Sequence, residues 1–332
     1  MLGCTVTTLS ACAGTGTPQA HEGAAIGPSG PARLVSPSPG AGSGATTPLP
    51  SAATPSPMAL HSPTPSATPR PLAELPLGGR TIFPRYRVVA YYGSQGGPAL
   101  GVLGKGTPEQ TAAAISQAAA PFAAYGRRVQ PAMELIATVA HGNPGADGTY
   151  SYRLPDAVID SYLAAARRHR MLLLLDIQPG RADFLTQVRQ LEPYLKHPDV
   201  GIALDPEWKL TPGQLPLQQI GSSHADPING VADYVSGLVT RYRLPEKLFV
   251  VHQFQLRMVP DRAAIRTRPG LAMVFHVDGQ GPVSDKLATY AALRVGRPFH
   301  MGFKLFYAKD PVLMSPRQVM ALTPQPELIT YQ

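Results

Sequence analysis

The segment Asp205-Pro206-Glu207-Trp208 carries the sharpest chemical signal in the chain. Asp205 and Glu207 are two residues apart, so on an extended strand both side chains point to the same side. Carboxylates at that range oppose each other's ionisation, and one of them then keeps its proton near neutral pH. A group in that state can protonate a glycosidic oxygen, which is the task of the general acid in glycoside hydrolysis. Trp208 offers an apolar platform for a sugar face. The structural alternative is that the pair bonds neighbouring loops, or forms ion pairs with Lys304 and an arginine.

Further polar residues sit at the ends of short apolar runs: Tyr91, Tyr92, Glu134, Asp176, Gln178, Gln253, Gln255, His276, Asp278, Lys304, Tyr307 and Tyr331. Glu134 and Asp176 join Asp205 and Glu207 as catalytic candidates, and the others, with Trp208, are candidates for contacting substrate. Four of these runs end in carboxylates although the chain has only 21 acidic residues, and burying an unpartnered carboxylate is costly. Glu134 is open to two readings, a nucleophile or a buried carboxylate paired with Lys304. Asp176 is either the second catalytic carboxylate or a member of a structural network, and Asp176-Ile177-Gln178 repeats the same-side spacing. Gln253 and Gln255 share one face and suit sugar hydroxyls. His276 and Asp278 are spaced to form a hydrogen-bonded pair, although a structurally satisfied histidine also fits. His141 lies on a turn-rich loop, residues 141–148, whose acidic groups are too sparse for a calcium site.

These residues need elements that bring them together. From residue 85 onward, apolar runs recur at 88–93, 132–139, 171–177, 200–205, 248–253, 271–278, 301–307 and 327–332. Helical stretches are expected between them, from Thr107-Pro108-Glu109, at 154–170, 184–195, 230–242, 284–293 and 316–322. Thr107 supplies a cap and Pro108 suits the first helical position. The run 171–177 is apolar almost throughout, as burial on both faces of a parallel sheet requires. Alternation of this kind predicts an α/β fold with βαβ units. Eight units in a span near 250 residues predict a (β/α)8 TIM barrel over residues 85–332, with chemistry at the strand C-terminal ends. No glycine fingerprint opens the first helix, which argues against a doubly wound open sheet.

Residues 201–208, Gly201-Ile202-Ala203-Leu204-Asp205-Pro206-Glu207-Trp208, resemble the fourth-strand signature of chitinase-like glycoside hydrolases built on TIM barrels. In that signature an aspartate stands two residues before the acid/base glutamate. The resemblance implies Glu207 as proton donor and Asp205 in the supporting place.

The remainder of the chain reads as an address and a tether. Only 15% of residues are charged, against a typical ~25%, while Gly (32) and Pro (37) are abundant. Residues 13–84 are rich in Pro, Ala, Ser and Thr; they cannot bury enough surface to offset backbone ordering, so a disordered tether is expected. Cys4 and Cys12 are the only cysteines, which excludes a disulfide scaffold and Cys-rich metal sites. Leu9-Ser10-Ala11-Cys12 resembles a bacterial lipobox. That resemblance implies lipidation at Cys12, residues 1–12 as the end of a truncated signal peptide, and an extracytoplasmic bacterial protein that is lipid-anchored to the membrane or secreted. No apolar run reaches the eighteen residues of a transmembrane helix.

The net charge is +8, but its basic residues are scattered. Arg127-Arg128, Arg167-Arg168-His169-Arg170, Arg294 and Arg297 fall at the ends of helical stretches, where they complement the helix dipole. No nucleic-acid module is visible, and a weak attraction to anionic wall polymers is expected. The residues together predict a monomeric, tethered, glycoside-hydrolase-like protein acting on a polysaccharide or glycoconjugate, with no cofactor and no metal. The alternative is a carbohydrate- or envelope-binding lipoprotein without turnover. A third reading is a metal-dependent hydrolase with Glu134, Asp176, Asp205, Glu207 and His276 around a divalent ion.

Overall fold

The apolar runs become strands, and hydrogen-bonded pairing closes them into a ring. A computed structural model describes residues 71–95 and 100–332. In chain order the elements are β1 (Tyr86–Gly93), α1 (Pro108–Ala119), β2 (Arg128–Ala140), β3 (Ser151–Arg153), α2 (Asp156–Arg168) and β4 (Leu172–Ile177). There follow α3 (Phe184–Gln190), α4 (Glu192–Leu195), β5 (Val200–Leu204), α5 (Ala225–Tyr242), β6 (Lys247–Gln253) and β7 (Leu271–Val277). The last are α6 (Val283–Leu293), β8 (His300–Leu305), α7 (Pro316–Met320) and β9 (Leu328–Tyr331). β1 pairs in parallel with both β2 and β9, so the chain's eight parallel strands form a closed TIM barrel. β3 is a short antiparallel addition to β2.

Side-chain alternation divides the core into two shells. Leu173 and Leu175 of β4 point out to the helices, where they join the larger apolar cluster. Leu172 and Leu174 point inward and meet Val88, Ala90, Ala132, Ala203, Leu248, Val250, Ala272, Val274 and Leu328. Many of these inner residues are small, and adjacent strands also leave little room. At Gly201 an added Cβ would lie 2.7 Å from the Leu248 carbonyl oxygen.

The packed chain begins ahead of residue 85, within the span expected to be tether. Leu75, Ile82 and Phe83 are buried against the lower end of the inner core beside Tyr86. The Tyr86 hydroxyl donates to the Gly78 carbonyl at 2.6 Å, and Glu246 Oε2 accepts from the Ile82 amide at 2.5 Å. These residues therefore form the barrel's floor. Cys4, Cys12 and the Pro-rich run up to residue 70 lie outside the described residues.

Local chemistry explains most element ends. Thr107 and Gln110 form a reciprocal capping box on α1, with Pro108 in its first turn. The helical stretch expected over 184–195 divides at Leu191, and Pro193 sits in the first turn of α4. α5 starts five residues before the expected 230, because Asp261 accepts from the Ala225 amide at 2.9 Å and caps it from a distant loop. Between β6 and β7 only single 3-10 turns occur, Leu256–Met258 and Arg262–Ala264. Among the described residues no helix is long and apolar enough to cross a membrane.

Candidate active site

At the C-terminal end of the barrel the inward positions change from apolar to polar. Tyr92, Glu134, Asp176, Asp205, His252, His276, Lys304 and Thr330 continue the inward alternation set lower down by Ala90, Ala132, Leu174, Ala203, Val250, Val274 and Leu328. Each is nearly or wholly buried. Such a layer persists only if its charges are paired and hydrogen-bonded.

His252 is the hub of this layer. Its Nε2 lies 3.0 Å from Glu134 Oε1 and 3.7 Å from Asp176 Oδ1, and its Nδ1 lies 3.2 Å from Asp278 Oδ2. The Nδ1 contact is an ion-pair approach without hydrogen-bond alignment, so that nitrogen has no hydrogen-bond partner. Thr330 donates to Glu134 Oε2 at 3.1 Å. Lys304 Nζ stands 3.7 Å from Asp278 Oδ2 and 3.6 Å from the centre of the Tyr92 ring. Glu134 is thus held by His252 and Thr330, and Lys304, offered by the sequence as its partner, pairs with Asp278.

The two same-side pairs read from spacing have different outcomes. Asp176 and Gln178 do converge: the Tyr92 hydroxyl donates to Asp176 Oδ2 at 2.9 Å and accepts from Gln178 Nε2 at 3.1 Å. Asp205 and Glu207 are brought together by another route. β5 ends at Leu204, and Pro206–Trp208 forms a 3-10 turn capped by the Asp205 carboxylate, which accepts from the Glu207 amide at 3.2 Å. His276 and Asp278 form no hydrogen-bonded pair. Asp278 faces His252 and Lys304 instead, and neither ring nitrogen of His276 has any partner. The His276 ring fits only because Gly302 faces it, since a Cβ there would lie 2.3 Å from His276 Cδ2.

Electrostatics sort the carboxyl groups into two classes. Burial works against ionisation of Glu134, but the hydrogen bond and charge of His252, with the charge of Lys304, outweigh it and hold its pKa at about 2. Burial is likewise outweighed at Asp278, where His252 and Lys304 keep the pKa at about 2. Asp176 rises to about 6 through burial and the repulsion of Glu134. Glu207 rises to about 7 through burial and the repulsion of Asp278. Asp205 is pushed well up by burial, with Asp176, Glu207 and Asp278 adding to it. His252 is raised despite its burial and the Lys304 charge, because Asp278 and Glu134 bind its charged form. Burial and the charge of His252 push His276 down to about 3, so it is neutral.

The remaining candidates lie elsewhere. Tyr91, Tyr307 and Tyr331 form an aromatic trio beside the mouth, with Tyr307 stacked on Tyr331 at 5.3 Å and Tyr91 edge-on at 6.2 Å from Tyr307. Trp208 closes the turn after β5 and is half-buried. Gln253 is turned to the following loop: its Nε2 donates to the Gln255 carbonyl at 3.0 Å and its Oε1 accepts from Arg262 at 3.1 Å. Gln255 Oε1 accepts from Arg257 at 2.5 Å. Both glutamines serve loop geometry in this arrangement. His252 and Thr330 also belong to the layer: period two along β6 and β9 places both inward, but does not say what they meet.

Among the described residues no group of three or more His, Cys, Asp or Glu side chains is arranged to hold a metal ion. Compared with models of protein families, with curated proteins and with solved structures, the chain matches none.

Proposed function

We propose that this protein is a glycoside-hydrolase-like enzyme of the bacterial envelope, tethered through Cys12 and acting on a polysaccharide or glycoconjugate. One observation carries the reading. Glu207 and Asp278 stand at the barrel mouth: burial and the charge of Asp278 raise Glu207 to about 7, while His252 and Lys304 hold Asp278 at about 2. A protonated carboxyl beside an ionised one is the acid/base division that glycoside hydrolysis requires. Glu207 gives its proton to the leaving glycosidic oxygen. Asp278 supplies the negative charge that the oxocarbenium-like transition state needs; water then adds its oxygen to the anomeric carbon and gives its proton to the Glu207 carboxylate, which restores the acid. Asp205 supports the turn that carries Glu207. Glu134 and Asp176, named from sequence as candidates for the second carboxylate, lie deeper and hold His252 and Tyr92.

Reducing-end release from a panel of polysaccharides tests this. Glu207→Gln should lose about 10²–10⁴-fold activity, and Asp278→Asn should be similarly impaired. Equal activity of Glu207→Gln and the native chain overturns the assignment. One feature favours the second reading, binding without turnover: Glu134, Asp176, His252 and His276 are all 0% exposed. Binding of a polysaccharide with no release of reducing ends by the native chain would select it. Mass spectrometry of the chain from native membranes tests the tether, since an unmodified Cys12 removes it.

A further inference from the structure

Beside the mouth lies a cavity of about 660 Å³ between the ends of β1 and β8 and the start of α1. That volume is in the range of small-ligand sites. Tyr91 and Tyr307 form one wall, their hydroxyls 3.2 Å apart, and Tyr331 backs Tyr307 by stacking. Tyr307 remains 42% exposed although it is held on two sides. A rigid, half-exposed aromatic wall with polar tips suits a ring that has an apolar face and hydroxyl edges.

The opposite wall adds charge. Val102 gives an apolar patch, and Lys105 and Gln110 line the cavity where α1 begins. Gln110 Oε1 accepts from the Thr107 amide in the capping box, which leaves its Nε2 as a donor. Lys105 is exposed and makes no ion pair among the described residues. The acidic residue nearest in sequence, Glu109, is taken by Arg168 and His169 of the α2 side. An uncompensated ammonium at a helix N-terminus, next to an aromatic wall, favours an anion. The chain's net charge of +8 acts the same way at long range, and only Arg33, Arg70 and Glu22 precede residue 71.

We propose that this cavity is a subsite for a saccharide unit carrying a carboxylate or a phosphate, bound with its ring against Tyr307 and its anionic group at Lys105. The proposal rests on the glycosidase reading for its substrate and names the class: an acidic envelope or extracellular glycan. Tyr91 and Tyr331 lie on the outward side of the strand ends that carry the inward Tyr92 and Thr330, so the cavity stands at the same end of the barrel as the inner layer.

Calorimetric titration of the full chain carrying Glu207→Gln, in which turnover is blocked, tests it. The probes are a hexuronic-acid tetrasaccharide, a sugar-bearing glycerol-phosphate oligomer, and the carboxyl-reduced neutral tetrasaccharide. At least one anionic probe should bind more tightly than the neutral one. Adding Lys105→Gln should weaken that probe by about tenfold, as loss of a charged hydrogen bond does, and leave the neutral probe unchanged. Adding Tyr307→Ala should weaken both, with thermal melts confirming that each variant is folded. Uronate-only or phosphate-only binding identifies the source of the anion. If neither anionic probe outbinds the neutral one, or Lys105→Gln changes nothing, the proposal falls. Lys105-dependent binding without any turnover by the native chain would leave the subsite standing and remove the glycosidase reading.

Discussion

The mouth and the floor of this barrel both bury charge, but they treat it in opposite ways. On the floor each charged group has its own partners. Lys247 Nζ donates to the carbonyls of His197 and Val200, each at 2.7 Å. Glu327 gathers Arg127, Arg297 and His300 around one carboxylate. Arg87 donates to the Tyr125 carbonyl and to Gln325, leaving only Nε unpaired. At the mouth, partners are shared and atoms are left over: Asp176 Oδ1, Asp278 Oδ1 and both nitrogens of His276 have no hydrogen bond. Each such atom costs about 1–3 kcal/mol, and five of the eight found among the described residues lie at the mouth. Their concentration at the end where TIM barrels do chemistry distinguishes a site from a foundation.

The sharpest test of that contrast is to remove one carboxylate from each end. Glu134→Gln should cost about 3–5 kcal/mol in urea unfolding, since it strips a fully buried His252 of its anion. Glu327→Gln should cost only about 1 kcal/mol, because Arg297 and Arg127 are partly exposed and solvent takes over. Equal costs would erase the distinction. Gly302→Ala is the next largest effect expected, about 1–3 kcal/mol from overpacking against His276. An unchanged melting temperature would mean that the ring moves freely.

The smallest effect is in the pH profile of stability, and the two ends should bend it in opposite directions. Glu207 and Asp176, raised to about 7 and about 6, bind protons more tightly folded than unfolded. Their stabilisation is complete below the ordinary carboxyl range and disappears as pH rises through 6 and 7. Lys247, which burial lowers to about 7, holds its proton less tightly when folded, so stability is regained as pH climbs from 7 towards 10.5. Glu134 and Asp278, both near 2, withdraw their contribution as pH falls below about 4. Compared with the native chain across pH 3–10, Glu207→Gln should therefore lose less stability between pH 4 and 7, and Lys247→Met should gain less between pH 7 and 10; melting curves that keep the native pH dependence in both variants would refute the assignment.

What could be read from the sequence follows the same division. All eight barrel strands were visible, because strands buried on both faces appear as continuous apolar runs such as Leu172–Leu175. Convergence of Glu134, Asp176, Asp205 and Asp278 was visible from strand ends. Their partners were not. Glu134 meets a histidine 118 positions away, and nothing local at His252 announces it. Its neighbour Gln253 is equally polar in the sequence, yet its side chain serves the next loop. The β3 hairpin is three residues long and lies within a polar loop, too short to carry a period. The aromatic trio joins the first, seventh and eighth barrel strands, a proximity that exists only once the ring has closed.

That closure has a temporal consequence. Thr330, on the strand furthest along the chain, donates to Glu134 on the second barrel strand, and β1 is itself paired with β9. A ribosome-bound chain holding seven strands would have an exposed β1 edge and an acidic layer lacking one of its donors. Assembly of the mouth must therefore wait until residue 331 has been made and has cleared the exit tunnel, so the eighth barrel strand decides when the first can close.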